Sequence, residues 1–305
     1  MKKTIITIIT AFLIFASVVM AKNCLSYKIP NDSMGVGAVV RRGSIDTLFI
    51  GASSFRKGVD MHMVEKELDS AFMLTYNGNQ PLNMDIELSQ IISAGVIPKT
   101  LVVEFDPAMI SNHADLSDKR LLFDIDMDAK MKLWNYLKKR DDADFFMMYD
   151  YFVSSNIDYL VTYPISFPLI SRRYYLGGNS GDEYTASKTK EELDALPIKE
   201  DAGINELQKA SILNIITMCR ENNIRLIFAE SPNYITMYDD KIYLEKHEIL
   251  YDLLVKEGVP VYVTEDLNFD NTNPDFYSDL THMSSVGMEE YTPKLINLIS
   301  LDMAK

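Results

Sequence analysis

Two short blocks at opposite ends of the chain carry the residue types needed for nucleophilic chemistry. The first is Asp46-Thr-Leu-Phe-Ile-Gly-Ala-Ser-Ser-Phe-Arg56, in which the apolar run Leu48-Phe49-Ile50 stops at Gly51-Ala52-Ser53-Ser54. The second is Asp279-Leu-Thr-His282. A serine hydroxyl is a weak nucleophile until a base takes its proton. Histidine is the natural base, and a carboxylate beside it fixes its tautomer and stabilises the imidazolium. Asp279 and His282 stand three residues apart, so a single turn of chain supplies both. Of His62, His113, His247 and His282, only His282 has an acidic residue three positions before it and a glycine five positions after it. The other three are expected on the surface or satisfied in the core.

These side chains must be positioned by a scaffold. An apolar run closed by glycine and small polar residues reads as a buried strand ending in a tight turn. In an open α/β sheet, ligands gather where strands end. The same signature predicts strands over 47–50, 72–76, 100–105, 225–230 and 259–264. Helical spacing fills 57–70, 84–94, 204–222, 241–257 and 284–301. Strands alternating with helices of this length imply parallel βαβ units. The expected fold is α/β, a three-layer sandwich around a parallel five-stranded sheet.

The rhythm breaks between 108 and 200. This stretch holds a charged run from Lys138 to Asp142, the aromatic run Phe145-Phe-Met-Met-Tyr-Asp-Tyr-Phe152 and a loop Tyr174-Tyr-Leu-Gly-Gly-Asn179. It is expected as an inserted helical cap. Its functional reading is a lid over the site, and plain helical packing accounts for most of the aromatics.

At the N-terminus, Lys2-Lys3 precede an almost wholly apolar run from Ile5 to Ala21. This is the pattern of an export signal. Cleavage after Ala21 and retention as a membrane anchor, which needs about 20 residues, both fit. Residues 1–21 are therefore a signal peptide or anchor, 22–43 a linker, and 44–305 the folded domain, lying outside the cytoplasmic membrane. The two cysteines, Cys24 and Cys219, show no metal-binding spacing.

Taken together, Gly51-Ala-Ser53 after the first strand, the turn Asn77-Gly78-Asn79-Gln80-Pro81 after the second and Asp279-x-x-His282 before the last helix resemble the SGNH/GDSL hydrolase superfamily. Among its branches the chain looks most like the extracytoplasmic acyltransferases, which include the D-alanyl transfer protein of teichoic-acid modification and the alginate O-acetylation proteins. The resemblance implies an SGNH/flavodoxin-like fold, with Ser53 in the nucleophile position, Ser54 its neighbour, and Asp279 and His282 as acid and base. The family's first-block Asp is replaced by Ala52. A clear Gly-x-Asn third block is absent, and Glu104-Phe105-Asp106 stands about where it belongs. Candidate oxyanion donors are the Ser53 N–H and the turn residues Asn77 and Asn79, although Asn-Gly also simply makes turns.

The implied activity is O-acyl transfer to, or ester hydrolysis on, a cell-envelope or exported glycan through an acyl-serine. The implied partners are an acylated donor and a glycan or polyol acceptor, and a membrane-embedded acyltransferase is also admitted. No cofactor and no metal is required. The alternative is an inactive exported binding protein, which the degenerate first block admits. The net charge of −14 argues against nucleic acid, whose phosphates attract basic surfaces. A Gly-x-Gly-x-x-Gly following a strand is absent, which argues against a dinucleotide cofactor. The absence of Gly-x-Ser-x-Gly argues against the α/β-hydrolase fold.

Overall fold

The first three apolar runs form adjacent strands. β1 (Thr47–Gly51), β2 (Ala71–Thr75) and β3 (Thr100–Phe105) are buried along their whole length. β1 pairs in parallel with β2 on one side and β3 on the other. β4 (Arg225–Glu230) and β5 (Val261–Tyr262) extend the sheet in the same direction, giving the order β2-β1-β3-β4-β5. Continuous apolar strands, rather than alternating ones, are what a parallel sheet covered on both faces requires. A computed structural model describes residues 2–26, 33–111, 116–139, 143–154, 174–179, 185–198 and 203–304.

Successive side chains of a strand point to opposite faces, and the core divides accordingly. Leu48, Ile50, Leu74, Leu101, Val103 and Phe228 join one cluster, closed by α2 (Gly35–Arg42), α5 (Pro81–Ser93) and the helices Glu206–Glu221 and Lys241–Lys256. Phe49, Met73, Val102 and Ile227 join the other, closed by α3 (Ser53–Gly58), α4 (Met61–Glu67) and the C-terminal helix Ser285–Met303. Helices on both faces of a five-stranded parallel sheet make the chain an α/β protein and fit a three-layer sandwich. In this strand order the chain leaves β1 toward one edge and later returns to the other side of it. The carboxyl ends of β1 and β3 therefore frame a crevice.

Several expectations are corrected. The helix expected over 57–70 is confined to α4, because Asp60 separates it from the end of α3 and caps it by accepting the His62 N–H at 2.8 Å. β5 is only two residues long; it lies at the sheet edge, where Pro260 contributes its carbonyl to Phe228 and proline has no N–H to give. The segment 22–43 is not a plain linker. It contains α2, whose Val36 and Val39 are core residues, and the Val36 N–H donates to the buried Tyr76 hydroxyl.

The supposed cap is in part core as well. Leu121 and Leu122 of α6 (Leu121–Asp124) and Leu133 and Leu137 of α7 (Met127–Leu137) belong to the first cluster. The loop 174–179 is a two-stranded hairpin, and its Leu176 carbonyl accepts the Met73 N–H of edge strand β2. Residues 112–115, 140–142, 155–173, 180–184 and 199–200 of that stretch lie outside the described residues.

At the N-terminus, α1 (Lys2–Leu25) is one helix, and its span Lys3–Leu25 is long and apolar enough to cross a membrane. It is a possible signal peptide or membrane anchor on length and composition. Cys24 and Cys219 are both free thiols.

Candidate active site

β1 ends at Gly51 because the chain must turn there against a side chain of its neighbour. A Cβ on Gly51 would lie 2.7 Å from Glu104 Oε2 and 2.8 Å from Phe55 Cβ. Glu104, fully buried at the end of β3, accepts the Ala52 N–H with Oε2 and the Ser54 hydroxyl with Oε1 at 2.6 Å. One carboxylate thus clamps the turn and occupies the second serine. Ser53 remains as the first residue of α3. Its Oγ lies 2.8 Å from His282 Nε2, 229 residues away in the chain.

His282 is delivered by a compact loop. Asp279 Oδ1 accepts the backbone N–H groups of Thr281 and His282, each at 2.9 Å. The same carboxylate meets the imidazole Nδ1 at 2.9 and 3.0 Å. The spacing of three residues is therefore a turn in which the acid orders both the backbone and the ring of its histidine. A carboxylate only accepts, so it holds the proton on Nδ1 and leaves the Nε2 lone pair facing Ser53. Burial raises the Asp279 carboxyl. The hydrogen bond and charge of His282, with the two backbone donors, outweigh it and hold the group at about 2. Asp279 is ionised at any working pH. Behind the loop, Ser284 caps the C-terminal helix by accepting the Gly287 N–H. A Cβ on Gly287 would lie 2.2 Å from the Phe276 carbonyl oxygen, so the glycine five residues after His282 permits the loop to pack on the helix.

The turn after β2 is used differently from the sequence expectation. Asn79 is buried, and its amide donates to the Gly51 carbonyl and to Glu87 Oε2 while its Oδ1 accepts the Gln80 N–H. It straps the end of β1 from below, and both amide hydrogens are committed. The Asn77 backbone N–H donates to Asp118, and its Oδ1 accepts from Arg56 Nη2 at 2.7 Å. Asn79 is therefore not placed as a ready oxyanion donor, while the Asn77 backbone N–H is engaged and its side-chain amide hydrogens are not used by these contacts. Among the described residues, the Ser53 N–H has no acceptor, as expected for the first turn of a helix.

Arg56 is a residue the sequence reading passed over. A helical side chain leans back over the preceding turn, and three residues of spacing put Arg56 on the same face as Ser53. Its guanidinium stacks on Tyr174 at 5.7 Å, and burial lowers its pKa despite that contact. The helical offset was readable in the sequence; the hairpin that supplies Tyr174 was not.

His62 and His247 make packing and side-chain contacts away from Ser53. His62 stacks on Tyr175, and His247 packs edge-on against Phe105 with Nε2 3.3 Å from Glu230. His113 lies outside the described residues. Among the described residues, no group of three or more His, Cys, Asp or Glu is arranged to hold a metal ion.

No protein-family model matches the chain, and no curated protein matches it either. The site therefore has to be read from its own geometry.

Glu87, which anchors Asn79, gives a pH test of this scaffold. Burial pushes its carboxyl up to about 8. An unfolded glutamate ionises near 4.3, so the folded chain holds a proton there that the unfolded chain releases. Stability conferred by the neutral form is complete below about pH 4 and falls as pH rises toward about 8. Glu87→Gln fixes a neutral group, so it should be more stable than the native chain by about 5 kcal/mol at pH 8. The gain should vanish at pH 4, which thermal melts at the two pH values will read.

Proposed function

We propose that this protein is an exported, membrane-tethered serine enzyme that transfers acyl groups through an acyl-serine intermediate, with a cell-envelope or exported glycan as the acceptor class. The observation that carries the reading is the Ser53 Oγ to His282 Nε2 distance of 2.8 Å, with His282 Nδ1 on the Asp279 carboxylate. The parallel sheet with its serine after β1 and its Asp-x-x-His before the last helix supports an SGNH-type assignment.

His282 Nε2 takes the Ser53 hydroxyl proton as Oγ attacks the carbonyl carbon of an ester or thioester. The Ser53 N–H, without an acceptor among the described residues, is a backbone donor available to the oxyanion. Collapse expels an alcohol or thiol, which takes the proton back from the imidazolium, and leaves acyl-Ser53. A glycan or polyol hydroxyl then gives its proton to Nε2 and attacks the acyl carbon, releasing Ser53 and the new ester. Water in place of the hydroxyl gives an esterase on the same site. Ser53 and the His282 ring are half-buried, so a bulky acceptor can reach them.

The test is to incubate the full chain with p-nitrophenyl acetate, with and without a soluble oligosaccharide. Acetyl-Ser53 that discharges onto sugar hydroxyls supports transfer, and discharge to water alone supports hydrolysis. A folded chain that forms no acyl-enzyme contradicts both.

A further inference from the structure

The end of the N-terminal helix is built into the folded domain. Lys22, Asn23 and Ser26 are buried. Lys130 of α7, with no exposed surface, donates to the Asn23 carbonyl at 2.6 Å and to Ser26 Oγ at 2.9 Å. It thereby satisfies one of the carbonyls that a helix C-terminus leaves without partners. Asn23 Nδ2 donates to the Phe152 carbonyl at 2.9 Å. Tyr151 donates its hydroxyl to the Lys130 carbonyl, and the Trp134 ring packs on both Tyr151 and Phe152. The outer end of the apolar span is thus fixed against α7 and the segment Asp150–Ser154.

Directly before that segment comes α8 (Phe145–Tyr149), a helix with no buried residue. Phe145 is 66% exposed and Phe146 76%, and Met148 and Tyr149 are exposed beside them. Four large apolar side chains in five residues form an apolar surface that aqueous solvent does not favour. Phe146 and Phe152 are six residues apart, a helical rise of about 9 Å. Phe152 itself touches the end of the span. The exposed rings therefore lie about 9 Å along this segment from the residue that contacts the end of α1.

We propose that α8 is a membrane-docking element that lies in the outer headgroup layer beside the uncleaved anchor, with Phe145 and Phe146 in the lipid. The occupant is the bilayer rather than a protein partner, because the aromatic face is continuous with a junction that already seats a membrane-length helix. Interfaces of this kind favour aromatic side chains. A second contact also restricts the domain's tilt over the membrane. The inference rests on the anchor reading of α1 and is independent of the acyl-transfer chemistry.

The test uses the full chain in phosphatidylcholine–phosphatidylglycerol vesicles, with Cys24→Ser and Phe146→Cys labelled by an environment-sensitive fluorophore. The buried Cys219 stays untouched, and a matched Glu290→Cys label on the C-terminal helix reports the water-facing side. The expected result is blue-shifted emission at 146, quenched by lipids spin-labelled high on the acyl chain and protected from iodide, with water-like emission at 290. Water-like emission and free iodide quenching at 146, in chain that resists carbonate extraction, would overturn the docking role. Carbonate extraction of the chain would instead overturn the anchor beneath it.

Discussion

Alanine at His282 is expected to lower acyl-enzyme formation by about 10⁴-fold or more, because a serine without its base is inert at neutral pH. Ser53→Ala should be equally severe, and the double variant no worse, since the two groups act as one unit. Ser54→Ala is the informative contrast. The Ser54 hydroxyl donates to Glu104, and the imidazole Nε2 meets Ser53 instead, so the loss of the Ser54 hydroxyl should cost no more than about tenfold. Both triad side chains are partly exposed, so neither alanine should unfold the chain. Hydrolysis of a p-nitrophenyl ester by the three variants, with circular dichroism to confirm folding, reads these outcomes. Activity lost in Ser54→Ala and kept in Ser53→Ala would reverse the assignment of the two serines.

The second large effect belongs to Glu104, which touches no reacting atom. Its two oxygens hold the Ala52 N–H and the Ser54 hydroxyl in a dry position at the end of β3. Glu104→Ala leaves both donors buried without an acceptor, at a cost of about 3 kcal/mol. It also frees the turn that aims Ser53, and a misplacement of about 1 Å can cost about 10²-fold in rate. Glu104→Gln keeps one acceptor oxygen, and the Ser54 hydroxyl can rotate to accept from the new amide, so it should recover part of both losses. Denaturant midpoints and kcat/KM for the three proteins separate positioning from stability. A Glu104→Ala chain with native rate and native midpoint would remove Glu104 from the account.

The sheet was legible because its strands are continuous apolar runs closed by glycine, proline or acidic residues, a pattern that parallel burial imposes. Asp279 and His282 were legible for a local reason, since one turn carries acid and base together. The roles of Glu104 and Asn79 were not. Each depends on a partner from another strand end, and sequence spacing does not reveal which carboxylate lies beneath which turn. α2 escaped notice because eight residues with two glycines carry little helical signal, and its burial depends on Tyr76 far along the chain. The first part of the supposed cap belongs to the core because Leu121, Leu122 and Leu133 complete a face of the sheet that the regular βαβ helices leave open.

The central claim is that Ser53 is an activated nucleophile, and the most direct measurement is to treat the full chain with a fluorophosphonate probe and map the modified residue. The account predicts a single adduct on Ser53, unchanged in Ser54→Ala and absent in His282→Ala. A folded chain that takes no label, or takes it equally with and without His282, would contradict it.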